Sequence, residues 1–119
     1  MKQPGPDHPI VIIRSGKRVR VTFGGQIIAD TMNALSLKEA SYPAVFYIPR
    51  ADADMTVLGR TAHHTHCPYK GDASYFTISA GGRTAENAVW SYEQPFPAVA
   101  EIKEHLAFYP NRVDGIEQG

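Results

Sequence analysis

The fold can be read from Val19-Arg20-Val21-Thr22-Phe23-Gly24-Gly25-Gln26-Ile27-Ile28-Ala29. Val19, Val21 and Phe23 alternate with Arg20 and Thr22, the two-residue period of a strand with one face in a core and the other in water. Gly24-Gly25 supplies two residues free to take positive φ, as a tight hairpin requires, before Gln26–Ala29 runs back. The same grammar continues on both sides. Ile10–Ile13 ends at a Ser15-Gly16 turn, Leu35 and Leu37 alternate with Ser36 and Lys38, and Val45–Ile48 lies between Pro43 and Pro49. Ser74–Ile78 and Ala88–Tyr92 flank Gly81-Gly82 and predict a second hairpin. Asp52–Leu58 fits either a helical turn or a short strand. Val99, Ile102 and Leu106 recur at helical spacing after Pro97 and predict one short helix of about three turns. Leu106–Tyr109 returns to strand. Residues 1–9, with Pro4, Pro6 and Pro9, read as an extended arm, which leaves 10–119 as a single, mainly β domain of about eight strands.

The chain's 119 residues suit one core. Twelve Lys+Arg balance twelve Asp+Glu. That balance excludes a basic domain gripping nucleic acid by its phosphates and a polybasic membrane anchor. Neither a nucleic-acid nor a membrane partner is expected. The longest apolar run, Ile10–Ile13, is far below the roughly 20 residues that cross a bilayer. The first ten residues have no apolar stretch of a secretory signal, and Cys67 alone can form no internal disulfide. A cytoplasmic location is the expectation.

Chemistry concentrates in Ala62-His63-His64-Thr65-His66-Cys67-Pro68-Tyr69-Lys70-Gly71-Asp72. If extended, this segment places His63, Thr65 and Cys67 on one face and His64 and His66 on the other. A Cys67 nucleophile activated by His63 is one reading, but residues four apart on a strand are separated by roughly 13 Å. A bend, or His105, would have to close that gap. His64 and His66 suit two imidazoles on one metal ion, with Asp72, His105, Asp52 or Asp54 needed to complete it. Lys70 and the backbone around Gly71 could hold an anion with Arg50 or Arg112. No glycine-rich nucleotide loop of recognised spacing is present. Among the aromatics, Tyr69, Trp90 and Tyr92 adjoin polar or turn residues and suit a cleft, whereas Phe46, Phe76 and Phe108 suit a core.

His63-x-Thr65-x-Cys67-Pro68-Tyr69-Lys70-Gly71, followed by Ala73-Ser74-Tyr75-Phe76, resembles the bacterial family known as domain of unknown function 427. Tyr47-Ile48-Pro49 with Asp52, Ala88–Tyr92 and Ala107-Phe108-Tyr109-Pro110 extend the resemblance over most of the chain. It implies a β-tent: two antiparallel sheets leaning together over a cleft. The family sometimes carries a nucleotidyltransferase label, yet no glycine-serine element with a downstream Asp-x-Asp stands here. Relatives in the β-tent group hold a structural zinc with paired CxxC motifs, which a single Cys67 cannot reproduce.

The reading that results is a domain binding a small polar or anionic molecule, with no cofactor and no metal. Thr65, Tyr69, Lys70, Gly71, Tyr75, Trp90 and Tyr92 would form the site. Two alternatives stand beside it: an enzyme using Cys67 with His63, and a structural or interaction module in which the motif pins a turn.

Overall fold

The structure is a computed structural model describing every residue from Met1 to Gly119. The chain is mainly β, as its alternation predicts. In order, the strands are β1 (Ile10–Arg14), β2 (Val19–Phe23), β3 (Gln26–Thr31), β4 (Leu35–Glu39), β5 (Val45–Tyr47), β6 (Leu58–Cys67), β7 (Gly71–Ala80), β8 (Arg83–Tyr92), β9 (Ala107–Phe108) and β10 (Gly115–Gln118). Backbone hydrogen bonds sort them into three antiparallel sheets, β1-β4-β5, β10-β2-β3 and β6-β7-β8-β9. The resemblance implies two. The difference lies at one seam, where Ile48 and Leu106 exchange backbone bonds of 2.8 and 2.7 Å and stitch the β5 edge to the β9 edge.

Both diglycine turns are where the sequence places them. Gly24, Gly25, Gly81 and Gly82 all have positive φ, between +59° and +77°, which a two-residue hairpin of matching twist demands. Their tips also meet. A Cβ on Gly24 would lie 2.4 Å from the Ala80 carbonyl oxygen, and one on Gly81 would lie 2.1 Å from that of Gly24. The turns therefore need glycine for close approach as well as for conformation.

The four-stranded sheet is covered on both faces. Phe76, Ile78 and Val89 join Val19, Val21, Phe23 and Ile28 in one cluster, while Ala73, Tyr75 and Tyr92 join Leu37, Tyr47, Val99 and Ile102 in another. β5 divides in the same way, with Val45 and Tyr47 on one side and Phe46 on the other. Doubly covered strands read as continuous apolar runs, which is why Tyr75-Phe76 breaks alternation. Two aligned bulges bend this sheet. The register slips between Arg60 and His64 on β6, and between Phe76 and Ile78 on β7 against β8. Asn87, at φ +51°, sits in the second bulge. Its N–H donates to Thr77 Oγ1 at 3.2 Å, and Thr61 Oγ1 meets its side-chain oxygen at 2.7 Å. Such bulges re-aim side chains beside a site.

The expected helix is corrected. Pro97–Ile102 forms two 3-10 turns broken at Val99, whose φ of −123° and ψ of 29° are not helical. Val99 and Ile102 are fully buried, and a three-residue spacing serves a 3-10 turn as well as an α-helix. Glu104 then takes a φ of +61° and donates its N–H to Tyr92, which ends the segment. Asp52–Leu58 resolves into 3-10 turns at Arg50–Asp52 and Met55–Val57, leading into β6. No helix is long and apolar enough to cross a membrane.

Candidate functional site

The β6–β7 hairpin carries the motif. Cys67 pairs with Gly71, so Pro68, Tyr69 and Lys70 form a three-residue loop, and Gly71 closes it at φ +108°, a conformation that disfavours any side chain. Both flanks hold this loop. Phe96 donates its N–H to the Lys70 carbonyl at 3.0 Å, and Lys2 donates to that of Pro68 at 2.8 Å. The N-terminal arm lies on the loop: His8 stacks on Tyr69 with ring centres 3.9 Å apart and planes within 6°.

So clamped, Lys70 turns inward. It is 8% exposed and pairs with Glu39 at the end of β4, and Glu39 also accepts from or shares a proton with His8 Nε2 at 2.7 Å. Burial works to raise the Glu39 carboxyl, but the hydrogen bonds from Lys70 and His8 outweigh it and hold the group below its ordinary value. The three residues come from the arm, β4 and the hairpin loop.

This ion pair forms one wall of a concave pocket of about 470 Å³. Tyr47, Trp90, Tyr92 and Tyr109 supply aromatic walls, Leu37 and Val45 an aliphatic patch, and Tyr42, Pro43, Ala44 and Pro110 also border it. The rings hold each other in place. Trp90 Nε1 donates to the Tyr47 hydroxyl at 3.2 Å, and the Trp90 and Tyr109 ring centres are 4.5 Å apart. Burial pushes the Tyr47 and Tyr92 phenols far above their usual range. Tyr109 is pushed up to about 12, by burial and then by its hydrogen bond with Tyr75. All three are neutral hydrogen-bonding rings at physiological pH.

Lys70, Trp90 and Tyr92 therefore meet in one pocket. The other sequence-derived residues are placed around it. Tyr75 reaches Tyr109 through their hydroxyls at 3.3 Å and Thr65 Oγ1 at 3.0 Å, so it stands behind the wall, and Thr65 is exposed on β6. Tyr69 faces His8, and Gly71 shapes the loop. His63 sets its ring edge against Tyr75, 4.5 Å centre to centre, and is not hydrogen-bonded to Cys67. Cys67 is a half-buried free thiol packed against the Leu37–Tyr47–Tyr92 cluster. His105 is bonded to the Lys103 carbonyl instead, so neither histidine forms a dyad with the thiol.

The metal alternative finds no ligand set, as no three His, Cys, Asp or Glu side chains converge. His66 is held by Asp72 at 2.6 Å. Asp52 accepts from Thr31 at 2.6 Å, and Asp54 caps the Met55–Val57 turn. Arg50 does not join Lys70. It donates to Ser91 and Glu93, each at 3.0 Å, while Arg60 makes two bonds to the same carboxylate. The Arg60 hydrogen bond does most to bring Glu93 down to about 2. Arg112 stays exposed in the turn after Tyr109.

Sequence reasoning missed Glu39, His8 and Tyr42. Glu39 ends an ordinary amphipathic strand, and no local pattern ties it to a lysine 31 residues on. Tyr47 and Tyr109 carried a signal, the first ending β5 two residues before Pro49 and the second directly preceding Pro110.

Fold and pocket together define a small, mainly β domain with an aromatic-walled pocket bordered by the Lys70–Glu39 ion pair. The family model described as domain of unknown function (DUF427) matches residues 11–119, and the chain belongs to that family. No curated protein matches it.

Proposed function

We propose that this domain binds a small molecule presenting a flat ring to Trp90, Tyr92 and Tyr109 and an acceptor oxygen to Lys70. The observation that carries this reading is the state of Lys70. Its ammonium has three N–H donors, of which one goes to Glu39 and none to any other side chain, while Tyr92 lies 5.8 Å away. Both Glu39 oxygens are engaged. The pocket thus sets one cationic donor among neutral phenol hydroxyls, inside a mostly apolar wall. That combination is typical of small-molecule sites. Because Glu39 neutralises Lys70, a carbonyl or a single carboxylate suits the site better than a multiply charged phosphate.

A β-tent would hold a ligand in a cleft, and the pocket lies beside the Ile48–Leu106 seam that joins the sheet containing β5 to the sheet containing β9. An unpaired Cys67 suits a reducing, cytoplasmic setting, and the neutral charge balance suits neither nucleic acid nor a membrane surface. Catalysis by Cys67 has no comparable support, since no base is bonded to it.

Trp90 is the only tryptophan, so its fluorescence reports the pocket directly. Titration with benzoate, benzamide and benzylammonium tests the proposal. Benzoate and benzamide should bind, the benzylammonium cation should not, and Lys70→Met should weaken both binders about tenfold, the loss of one charge-assisted hydrogen bond. Equal binding of the cation, or no response from Trp90 to any of the three, contradicts it.

A further inference from the structure

A second, smaller pocket of about 260 Å³ lies on the other face of β5, lined by Val21, Phe46, Ile48, Phe108 and Ile116. It has no polar side chain. Ala44, Val45 and Pro110 line this pocket as well as the aromatic one, so the two meet over the start of β5. Ala44 has the smallest side chain on that shared rim. Packed protein interiors hold few voids larger than a water molecule, because unfilled space forfeits contacts on every lining atom. The pocket's lining side chains offer water no hydrogen-bond partner, which leaves only backbone groups to hold it. An apolar pocket that shares the Ala44, Val45 and Pro110 rim with one whose far wall holds Lys70 is placed for the apolar end of a molecule whose polar end lies against that lysine.

We infer that the ligand is amphiphilic: an aromatic head with an acceptor oxygen against Lys70, and a short hydrocarbon arm passing over Ala44 into the Val21–Ile116 pocket. This rests on the binding reading above and narrows it to one chemical class. Binding involves no covalent step.

The test uses benzoate, 4-ethylbenzoate, 4-butylbenzoate and 4-hexylbenzoate as probes, titrated against the full chain and followed by calorimetry. Affinity should rise about three- to fourfold per methylene while the arm enters the gap. In Ile116→Phe, which fills the gap from β10, that gain should disappear. Benzoate binding with no gain along the series, or a gain equally large in Ile116→Phe, overturns the inference and leaves the aromatic pocket standing. Binding of the alkyl probes alone, insensitive to Lys70→Met but lost in Ile116→Phe, overturns the head-group assignment and thus the reading it rests on. No binding by any probe overturns both. The wild-type series is decisive even if Ile116→Phe fails to fold.

Discussion

Lys70, in the loop of the β6–β7 hairpin, is ion-paired with Glu39, the last residue of β4, and the two form one wall of the aromatic pocket. Their side chains are 10% and 15% exposed, so each depends on the other for charge compensation. Removing one partner of such a pair leaves an uncompensated charge. Glu39→Gln should lower unfolding stability by about 3 kcal/mol, and Glu39→Gln combined with Lys70→Met should regain most of it. Urea unfolding of both variants and the wild type checks this. Equal stability of single and double variants would show that the pair is not compensating.

The arm is bound to the domain, and its anchor is His8. The stack on Tyr69 and the bond to Glu39 together should contribute about 1–2 kcal/mol. His8→Ala is expected to lose that amount. It should also release Met1–Pro9, seen as faster amide exchange at Lys2, whose N–H is held by Pro68. Unchanged protection at Lys2 would contradict the anchoring role.

Acid should weaken the fold through the Arg50–Glu93–Arg60 cluster. The folded Glu93 carboxyl lies at about 2, below its unfolded value, so its ion pairs add stability that is complete above the unfolded value. That stability is lost as pH falls toward about 2. Glu93→Gln should flatten this acid limb and cost about 1–3 kcal/mol at neutral pH. Stability against pH, measured from 7 down to about 2 for both proteins, gives the comparison. Coincident slopes would contradict it.

Alkaline titration reads the pocket walls. Of the six tyrosines, Tyr47, Tyr92 and Tyr109 have phenols raised by burial, Tyr109 to about 12. Ultraviolet titration should therefore leave at least these three un-ionised near pH 11, as long as the chain remains folded. Tyr109→Phe should remove one late step. Six ordinary titrations in the folded protein would mean the pocket is open to water.

Much of the fold is legible along the chain because hairpins are local. Gly24-Gly25 and Gly81-Gly82 announce their turns, and Val19, Val21 and Phe23 point into the core as their alternation demands. His63 and Thr65 share the Tyr75 face, as alternation on β6 requires. Legibility ends where distant segments decide. Val99 and Ile102 look helical, but the pull of Tyr92 on Glu104 and of Ile48 on Leu106 shortens the segment to broken 3-10 turns. Tyr75-Phe76 hides its period because both sheet faces are covered. At the site, Lys70, Trp90 and Tyr92 could be chosen from their neighbours. Glu39 and His8 could not, since their meeting with Lys70 is purely tertiary. Tyr69 looks like a cleft residue and instead stacks on the arm, for the same reason.

The proposed function requires an acceptor oxygen to dock on Lys70 while a ring lies against Trp90. The chain has one indole, which gives one resolved indole N–H resonance in a nitrogen-15 correlation spectrum. Titration with benzoate should shift that resonance, together with the amides of Lys70 and Tyr109, along one saturable curve, and the shifts should collapse in Lys70→Met. A Trp90 resonance that stays in place at saturating benzoate, or one that moves equally in Lys70→Met, would contradict the account.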